Sequence, residues 1–138
     1  ARSWLWAAER LGFELRIAAP RGYQPPAGFK ERFTSHRITF MEDPRDGAAG
    51  ADVLYTDVWV SMGREAEGAS RLRELAPYQL NDELFRHARP GALVLHCLPA
   101  YRGKEITGEL LERHARTIFD QAENRLHAQK AILQWVAG

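Results

Sequence analysis

Short apolar runs alternate with amphipathic segments along the chain. Runs that are rich in β-branched and aromatic residues and end at Gly, Pro or charged positions predict strands. The predicted strands cover residues 13–20, 37–43, 52–60, 92–98 and 117–120. Apolar residues at helical spacing predict helices between the strands. The predicted helices cover residues 2–11, 82–89, 107–114 and 121–136, with short or mixed helical segments at 44–51 and 63–80.

The alternation of strands and helices predicts an α/β fold. A three-layer, doubly wound arrangement with a mainly parallel sheet is the expected architecture. In such sheets, ligands bind in the crevice beyond the carboxyl ends of the strands. Polar residues, in two cases together with glycine or proline, follow three of the predicted strands, at 57–63, 97–103 and 120–125. These three segments are therefore the candidate site.

Composition limits the classes of function. The chain has 138 residues, 45% of them hydrophobic, which predicts one domain over residues 1–138. Its 19 basic and 18 acidic residues leave a net charge of +1, which does not favour a nucleic-acid partner. No apolar run reaches the length of a membrane span. A single cysteine excludes an internal disulfide and a multi-cysteine zinc site, and the histidines lack metal-ligand spacing, so the residues give no support for a metal site.

The segment DVWVSMG places a carboxylate at the end of the third predicted strand. Asp57 is followed four positions later by the hydroxyl of Ser61, and Met62 adds an apolar wall. A carboxylate with a nearby hydroxyl suits the ammonium group of an amino acid. The alternative is structural, because Asp57 and Ser61 could instead bond the backbone of the following turn.

The only cysteine, Cys97, ends the fourth predicted strand. Its neighbour His96 suggests a Cys–His dyad, but successive strand residues point to opposite faces, so the two side chains should diverge. A lone free cysteine is most often a small buried hydrophobe. Pro99 removes a backbone donor and leaves the carbonyls of Cys97 and Leu98 free to bind a ligand.

Arg125 lies early in the last predicted helix. Its guanidinium could be directed at a phosphate or carbonyl in the same crevice. The alternative is a solvated helix face, on which Glu123 and His127 are spaced for a pair one turn apart.

Three segments in order resemble the signature segments of the ornithine carbamoyltransferases. They are DVWVSMG at 57–63, LHCLPAYRGKEIT at 95–107 and FDQAENRLHAQKA at 119–131. The aspartate carbamoyltransferases carry His-Pro-Leu-Pro at 96–99, and the putrescine carbamoyltransferases differ at 61–63, so both differences favour ornithine. The resemblance covers essentially the whole chain and implies a Rossmann-like fold.

The resemblance implies a reaction without metal or organic cofactor. The δ-amine of L-ornithine attacks carbamoyl phosphate and yields L-citrulline and phosphate, a step of arginine metabolism, in the cytoplasm. On the matching positions, Asp57 binds the α-ammonium of ornithine, with help from Ser61 and the backbone of Met62.

The remaining implied roles concern the carbamoyl group. Cys97 lies beside the reacting groups without forming a covalent bond, and the main-chain carbonyls of Cys97 and Leu98 hold the carbamoyl NH₂. Arg125 stabilises the charge that develops on the carbonyl oxygen or phosphate. The implied catalytic residues are Asp57, Cys97 and Arg125.

The family's carbamoyl-phosphate-binding segments do not occur in residues 1–138. We therefore expect this chain to be the ornithine-binding half of a longer enzyme, inactive alone, whose first central strand lies outside these residues. The implied partners are ornithine, carbamoyl phosphate, an N-terminal carbamoyl-phosphate domain and the other subunits of a homotrimer.

Two other classes of function compete with this interpretation. One is a thiol-dependent hydrolase or acyltransferase that uses Cys97 as its nucleophile, which requires a base within hydrogen-bond reach. The other is a non-catalytic amino-acid-binding domain, which predicts affinity for ornithine without carbamoyl transfer.

Overall fold

A computed structural model describes residues 2–60 and 68–138. These residues divide into two compact units, one ending at Ala49 and one beginning at Gly50. Each unit contains a pair of parallel strands and helices that pack against it. The predicted parallel α/β organisation is confirmed, although the described residues form two separate two-stranded sheets.

The first unit is built on the parallel pair β1 (Leu15–Ala18) and β2 (Ile38–Met41), with Leu15 opposite Ile38. Helices α1 (Arg2–Leu11) and α3 (Pro44–Ala48) pack against both strands, and a short helix, α2 (Ala27–Lys30), lies in the connection between the strands. The helix that directly follows β2 therefore packs on the same pair of strands.

Helix α1 is held by its apolar face and by its end. Leu5 and Ala8 are fully buried. Gly12 ends the helix as the sequence predicts: its φ is +74°, a left-handed conformation that glycine adopts without strain, and its N–H donates to the Ala8 carbonyl at 2.9 Å. The Glu9 carboxylate accepts hydrogen bonds from residues 34 and 35, which ties α1 to the loop before β2.

In its described residues, the second unit is built on a parallel pair of strands with α-helices before and after the second strand. In chain order its elements are β3 (Val53–Thr56), α4 (Gly68–Leu75), α5 (Asp82–Phe85), β4 (Leu93–His96), α6 (Gly108–Arg113) and α7 (Ala115–Ala137). Helix α7 packs against β4 and against α6. In the part of the chain that the structure describes, no helix has both the length and the apolar character that a membrane span requires.

Side-chain caps set the starts of α5 and α6 in the second unit. The side chain of Asn81 accepts a hydrogen bond from the Leu84 N–H at 2.9 Å, so the predicted N-cap is confirmed. Helix α5 nevertheless ends at Phe85, earlier than the predicted residue 89. The side chain of Thr107 caps α6 in the same way.

The core of the second unit lies under one face of the β3–β4 pair. Strand residues alternate between faces: Leu54 and Val94 are buried, whereas Tyr55 and Leu93 are partly exposed. The helices and the loop before α6 complete this core. Their fully buried apolar side chains are Ile106, Leu110 and Ile118.

One predicted strand is wrong. Residues 117–120 were expected to be extended because Thr117, Ile118 and Phe119 are β-branched or aromatic, but they lie within α7, which begins at Ala115. Only Ile118 of these is fully buried, while Phe119 is exposed. The helix buries Ile118 against the rest of the unit, and this packing outweighs the local preference of residues 117–119 for a strand.

Candidate functional site at the carboxyl ends of two parallel strands

The carboxyl ends of β3 and β4 lie side by side because the two strands pair in parallel with Thr56 opposite His96. The next residue of each strand is therefore brought to the same edge. There, the thiol of Cys97 donates a hydrogen bond to Oδ1 of Asp57 at 3.1 Å. Two predicted site residues that are 40 positions apart in sequence thus form one pair.

Asp57 also accepts a hydrogen bond at Oδ1 from the Val58 N–H, at 2.7 Å. The local backbone bond that was expected as a structural alternative is therefore present. This bond leaves other acceptor positions of the Asp57 carboxylate unused, because an ionised carboxylate offers about four of them. The exposed Asp57 carboxylate retains capacity for a ligand with N–H donors.

The backbone turns sharply directly after Cys97. Leu98 has a φ of +55°, which is unfavourable for a residue with a branched side chain, and the following peptide bond to Pro99 is cis. The Leu98 N–H donates to Nδ1 of His96 at 2.9 Å, which holds this conformation. The main chain at Cys97 and Leu98 is thus fixed outside the regular strand geometry.

His96 faces away from Cys97. It is fully buried, as is Glu105, and its Nε2 lies 3.3 Å from Oε1 of Glu105, long for a direct hydrogen bond. The same carboxylate oxygen accepts the Tyr101 N–H at 2.6 Å. With Nδ1 accepting from Leu98 and Nε2 directed at Glu105, neither ring nitrogen serves as a base for the thiol. The predicted divergence of His96 and Cys97 is therefore observed.

The environment of Cys97 keeps its thiol protonated. Burial raises the pKa of the thiol, and the hydrogen bond to the Asp57 carboxylate raises it further. A thiol with a raised pKa is a poor nucleophile near neutral pH, because the thiolate is the reactive form. The site therefore presents a neutral S–H donor next to an exposed carboxylate.

Tyr55 and Gln121 also belong to this edge, and the sequence analysis missed both. Tyr55 lies on β3, two positions before Asp57, and both Cys97 and the side chain of Gln121 on α7 influence the pKa of its hydroxyl. Partial desolvation, followed by the bond to Cys97, raises the pKa of Tyr55 to about 12. The sequence could have identified Tyr55, because side chains two positions apart in a strand lie on the same face and Tyr55 is two positions before Asp57.

Three predicted site residues remain: Ser61, Met62 and Arg125. Ser61 and Met62 lie outside the described residues. Arg125 is exposed on α7, one turn beyond Gln121 and on the same face of the helix. Within residues 2–60 and 68–138, the hydrogen bonds that join Asp57 and Cys97 do not extend to Arg125.

The sequence matches the family model for the aspartate/ornithine carbamoyltransferase Asp/Orn binding domain over residues 1–136. The chain belongs to this family. The ornithine carbamoyltransferase of Akkermansia muciniphila is 53% identical over 137 residues, which cover 99% of this chain and 45% of that protein. The ornithine carbamoyltransferase of Sorangium cellulosum is 51% identical over 140 residues, which cover 100% of this chain and 45% of that protein. The chain thus spans less than half the length of these carbamoyltransferases.

Solved carbamoyltransferase structures have the same fold. The anabolic ornithine carbamoyltransferase of Campylobacter jejuni superposes with a TM-score of 0.89 at 38% identity, over 98% of this chain and 46% of that one. The ornithine carbamoyltransferase of Pyrococcus furiosus gives a TM-score of 0.84 at 40% identity, over 95% of this chain and 44% of that one. The predicted Rossmann-like α/β fold is confirmed.

Proposed function

We propose that this chain is the ornithine-binding part of an ornithine carbamoyltransferase. The enzyme transfers the carbamoyl group of carbamoyl phosphate to the δ-amine of L-ornithine and releases L-citrulline and phosphate. The observation that carries the proposal is the Asp57–Cys97 pair at the carboxyl ends of β3 and β4. The names of the related proteins support the same reaction.

In this proposal Asp57 binds the α-ammonium group of ornithine. Its carboxylate is exposed and keeps acceptor capacity beside its bonds to Val58 and Cys97. Ser61 and the backbone of Met62 complete the ammonium site. A charge-assisted hydrogen bond of this kind is about twice as strong as a neutral one and fixes the direction of the substrate.

The carbamoyl group is held by the main chain at Cys97 and Leu98. The left-handed conformation of Leu98 and its bond to His96 set the direction of this segment before substrate arrives. Arg125 stabilises the negative charge that develops on the carbonyl oxygen or phosphate. Since the nucleophile is the amine of the substrate, catalysis rests on positioning and electrostatics, and no protein nucleophile is needed.

The state of the thiol argues against a Cys97-dependent hydrolase. That class needs a thiolate and an adjacent base. Burial and Asp57 raise the pKa of Cys97, and the imidazole of His96 is buried and engaged elsewhere. We therefore assign Cys97 a role as a neutral hydrogen-bonding group beside the reacting atoms.

We further propose that the carbamoyl phosphate is bound by a separate N-terminal domain of the same enzyme, which works as a homotrimer in the arginine biosynthesis of the cytoplasm. The proposal is supported by the coverage of the relatives, less than half of whose length aligns with this chain. Mixing the chain with that half and assaying citrulline separates this enzyme from a non-catalytic ornithine-binding domain, which would stay inactive.

The experiment that tests the ammonium site compares two carboxylates that flank the same strand, one at each end of β3. Asp57→Asn is introduced into the chain together with its carbamoyl-phosphate-binding half, and Asp52→Asn is the matched control. Asp52 lies before the amino end of β3, where it pairs with Arg89 at 2.8 Å. Loss of one charge-assisted contact, worth about 1.5–3 kcal/mol, predicts a roughly 10- to 150-fold fall in kcat/KM for ornithine.

The control should change kcat/KM for ornithine by less than about twofold, in keeping with the small effect of surface ion pairs. If Asp57→Asn and Asp52→Asn have the same kinetics, Asp57 does not bind the substrate ammonium and the assignment of the site fails.

A further inference from the structure

Two buried polar side chains lie beneath the turn that follows β4. They are His96 and Glu105, each 0% exposed, and they are the two buried polar residues among residues 2–60 and 68–138. Burying a carboxylate costs free energy unless its oxygens are bonded. Oε2 of Glu105 has no hydrogen-bond partner among the residues that the structure describes. Stability alone therefore does not account for a carboxylate at this position.

The two side chains hold the turn at both of its ends. The Leu98 N–H donates to Nδ1 of His96 at 2.9 Å, and the Tyr101 N–H donates to Oε1 of Glu105 at 2.6 Å. Because Nδ1 accepts a bond, a neutral imidazole carries its proton on Nε2, which lies 3.3 Å from the same Oε1. The carboxylate thus faces the imidazole that holds Leu98 and itself holds Tyr101.

Glu105 is fixed from outside the turn. Its carbonyl accepts the Leu80 N–H at 2.9 Å, and the Leu80 carbonyl accepts the N–H of Thr107, the N-cap of α6, at 3.0 Å. The side-chain amide of Gln79 donates to the carbonyls of the two residues before Glu105, at 3.0 and 2.8 Å. The position of the carboxylate is therefore set by residues 79–80 and by the start of α6.

We propose that Glu105 is a positioning residue for the carbamoyl group. It orients the main chain of residues 97–98, through His96 at one end of the turn and through the Tyr101 N–H at the other. The inference rests on the proposed function, which assigns the carbonyls of these two residues to the carbamoyl NH₂. The left-handed conformation of Leu98, with a φ of +55°, is unfavourable and needs an external support. His96 and Glu105 provide that support before substrate binds.

The kinetic test compares Glu105→Leu, which removes both oxygens at similar size, with Glu105→Gln, which keeps one acceptor oxygen. Glu112→Leu is the control, because Glu112 lies on α6 and its pair with Arg102 is exposed. In the chain combined with its carbamoyl-phosphate-binding half, Glu105→Leu lowers kcat about tenfold, the effect of unpaired buried donors. KM for ornithine changes by less than about twofold, because Asp57 is untouched. Glu105→Gln recovers most of the loss, and Glu112→Leu leaves both constants unchanged.

Amide hydrogen exchange, resolved to single residues by mass spectrometry with fragmentation, follows the turn without substrate. In Glu105→Leu, the N–H groups of Tyr101 and Leu98 should both exchange at least about tenfold faster, while the amides of β4 keep their protection. Faster exchange at Tyr101 alone would overturn the action through His96. An equal rise throughout β4 and the turn would mean that Glu105 only stabilises the fold, and it would overturn the positioning role.

Glu105→Asp decides the question if Glu105→Leu does not fold. It keeps the carboxylate but is shorter by one methylene, so its oxygens move away from the Tyr101 N–H. Faster exchange confined to Tyr101 and Leu98 supports the positioning role, and unchanged exchange overturns it. The exchange readout needs no citrulline. A lack of citrulline in the unchanged protein therefore overturns the proposed function alone, whereas a normal kcat in folded Glu105→Leu overturns only the role of Glu105.

Discussion

The position of Ile118 gives the sharpest prediction about the fold that supports the site. Ile118 is 0% exposed, whereas Arg116, two positions earlier on α7, has a side chain that is 94% exposed. In a strand these two residues would share a face, and in a helix they do not. Ile118→Ala and Arg116→Ala therefore test helix against strand over this segment.

The magnitude follows from the buried atoms. Ile118→Ala removes Cγ1, Cγ2 and Cδ1, and at about 0.8 kcal/mol for each carbon the transfer term is about 2.4 kcal/mol. The cavity left in the core increases this to about 3–4 kcal/mol, within the range of about 2–5 found for such substitutions. Arg116→Ala should cost less than about 0.5 kcal/mol, because its weak pair with Asp120 at 3.9 Å is exposed.

Urea unfolding followed by circular dichroism and by tryptophan fluorescence measures both variants. Ile118→Val provides a graded point, with an expected loss of about 1 kcal/mol. Equal losses in free energy of unfolding for Ile118→Ala and Arg116→Ala would refute the helical placement, and with it the route by which α7 brings Gln121 to the site.

Three further predictions concern the thiol, a loop anchor and a helix contact. Cys97 should react slowly with iodoacetamide at neutral pH because burial and the neighbouring carboxylate raise its pKa; faster reaction in the unchanged protein than in Asp57→Asn would contradict this. Hydrogen bonds from residues 35 and 34 lower the pKa of the Glu9 carboxyl below its ordinary value of 4.5. The stabilisation from these bonds is therefore present above pH 4.5 and is lost as the pH falls through the folded-state pKa. Urea unfolding should thus show a deficit for Glu9→Gln at neutral pH that shrinks in acid; a deficit that persists in acid refutes it. Gly47→Ala should lower the free energy of unfolding by about 1–2 kcal/mol, because the added Cβ would lie 3.0 Å from a β1 side chain. Gly28→Ala is the control: its added Cβ would have no neighbour within 4 Å, so the change should be neutral or stabilising in the same assay.

The strands, and the meeting of two candidate site residues at their carboxyl ends, could be predicted from the sequence. Apolar runs bounded by turn residues identified the four strands of the described residues, and the polar residue after β3 and the cysteine after β4 identified the shared edge. The inference worked because parallel pairing brings carboxyl ends together whatever the loop between them does. The 3.1 Å contact of Asp57 and Cys97 follows from that rule.

The contribution of Tyr55 and Gln121 could not be predicted in the same way. A tyrosine in a strand is an ordinary residue with high strand preference, and the groups that influence the pKa of its hydroxyl lie on other elements, one of them on α7. Moreover, residues 117–120 were predicted as a strand, which placed the start of the last helix at Gln121 instead of Ala115. Without the register of α7, the side chain that meets Tyr55 could not be identified.

The acceptor used in the reaction tests the central claim most directly. The chain, combined with its carbamoyl-phosphate-binding half, is supplied with carbamoyl phosphate and with L-ornithine, putrescine or L-aspartate, and the carbamoylated products are measured. The account predicts citrulline from ornithine, with kcat/KM far above that of the other two acceptors and strongly reduced in Asp57→Asn. Carbamoyl transfer to aspartate or putrescine in preference to ornithine, or none to any of the three amines, would contradict it.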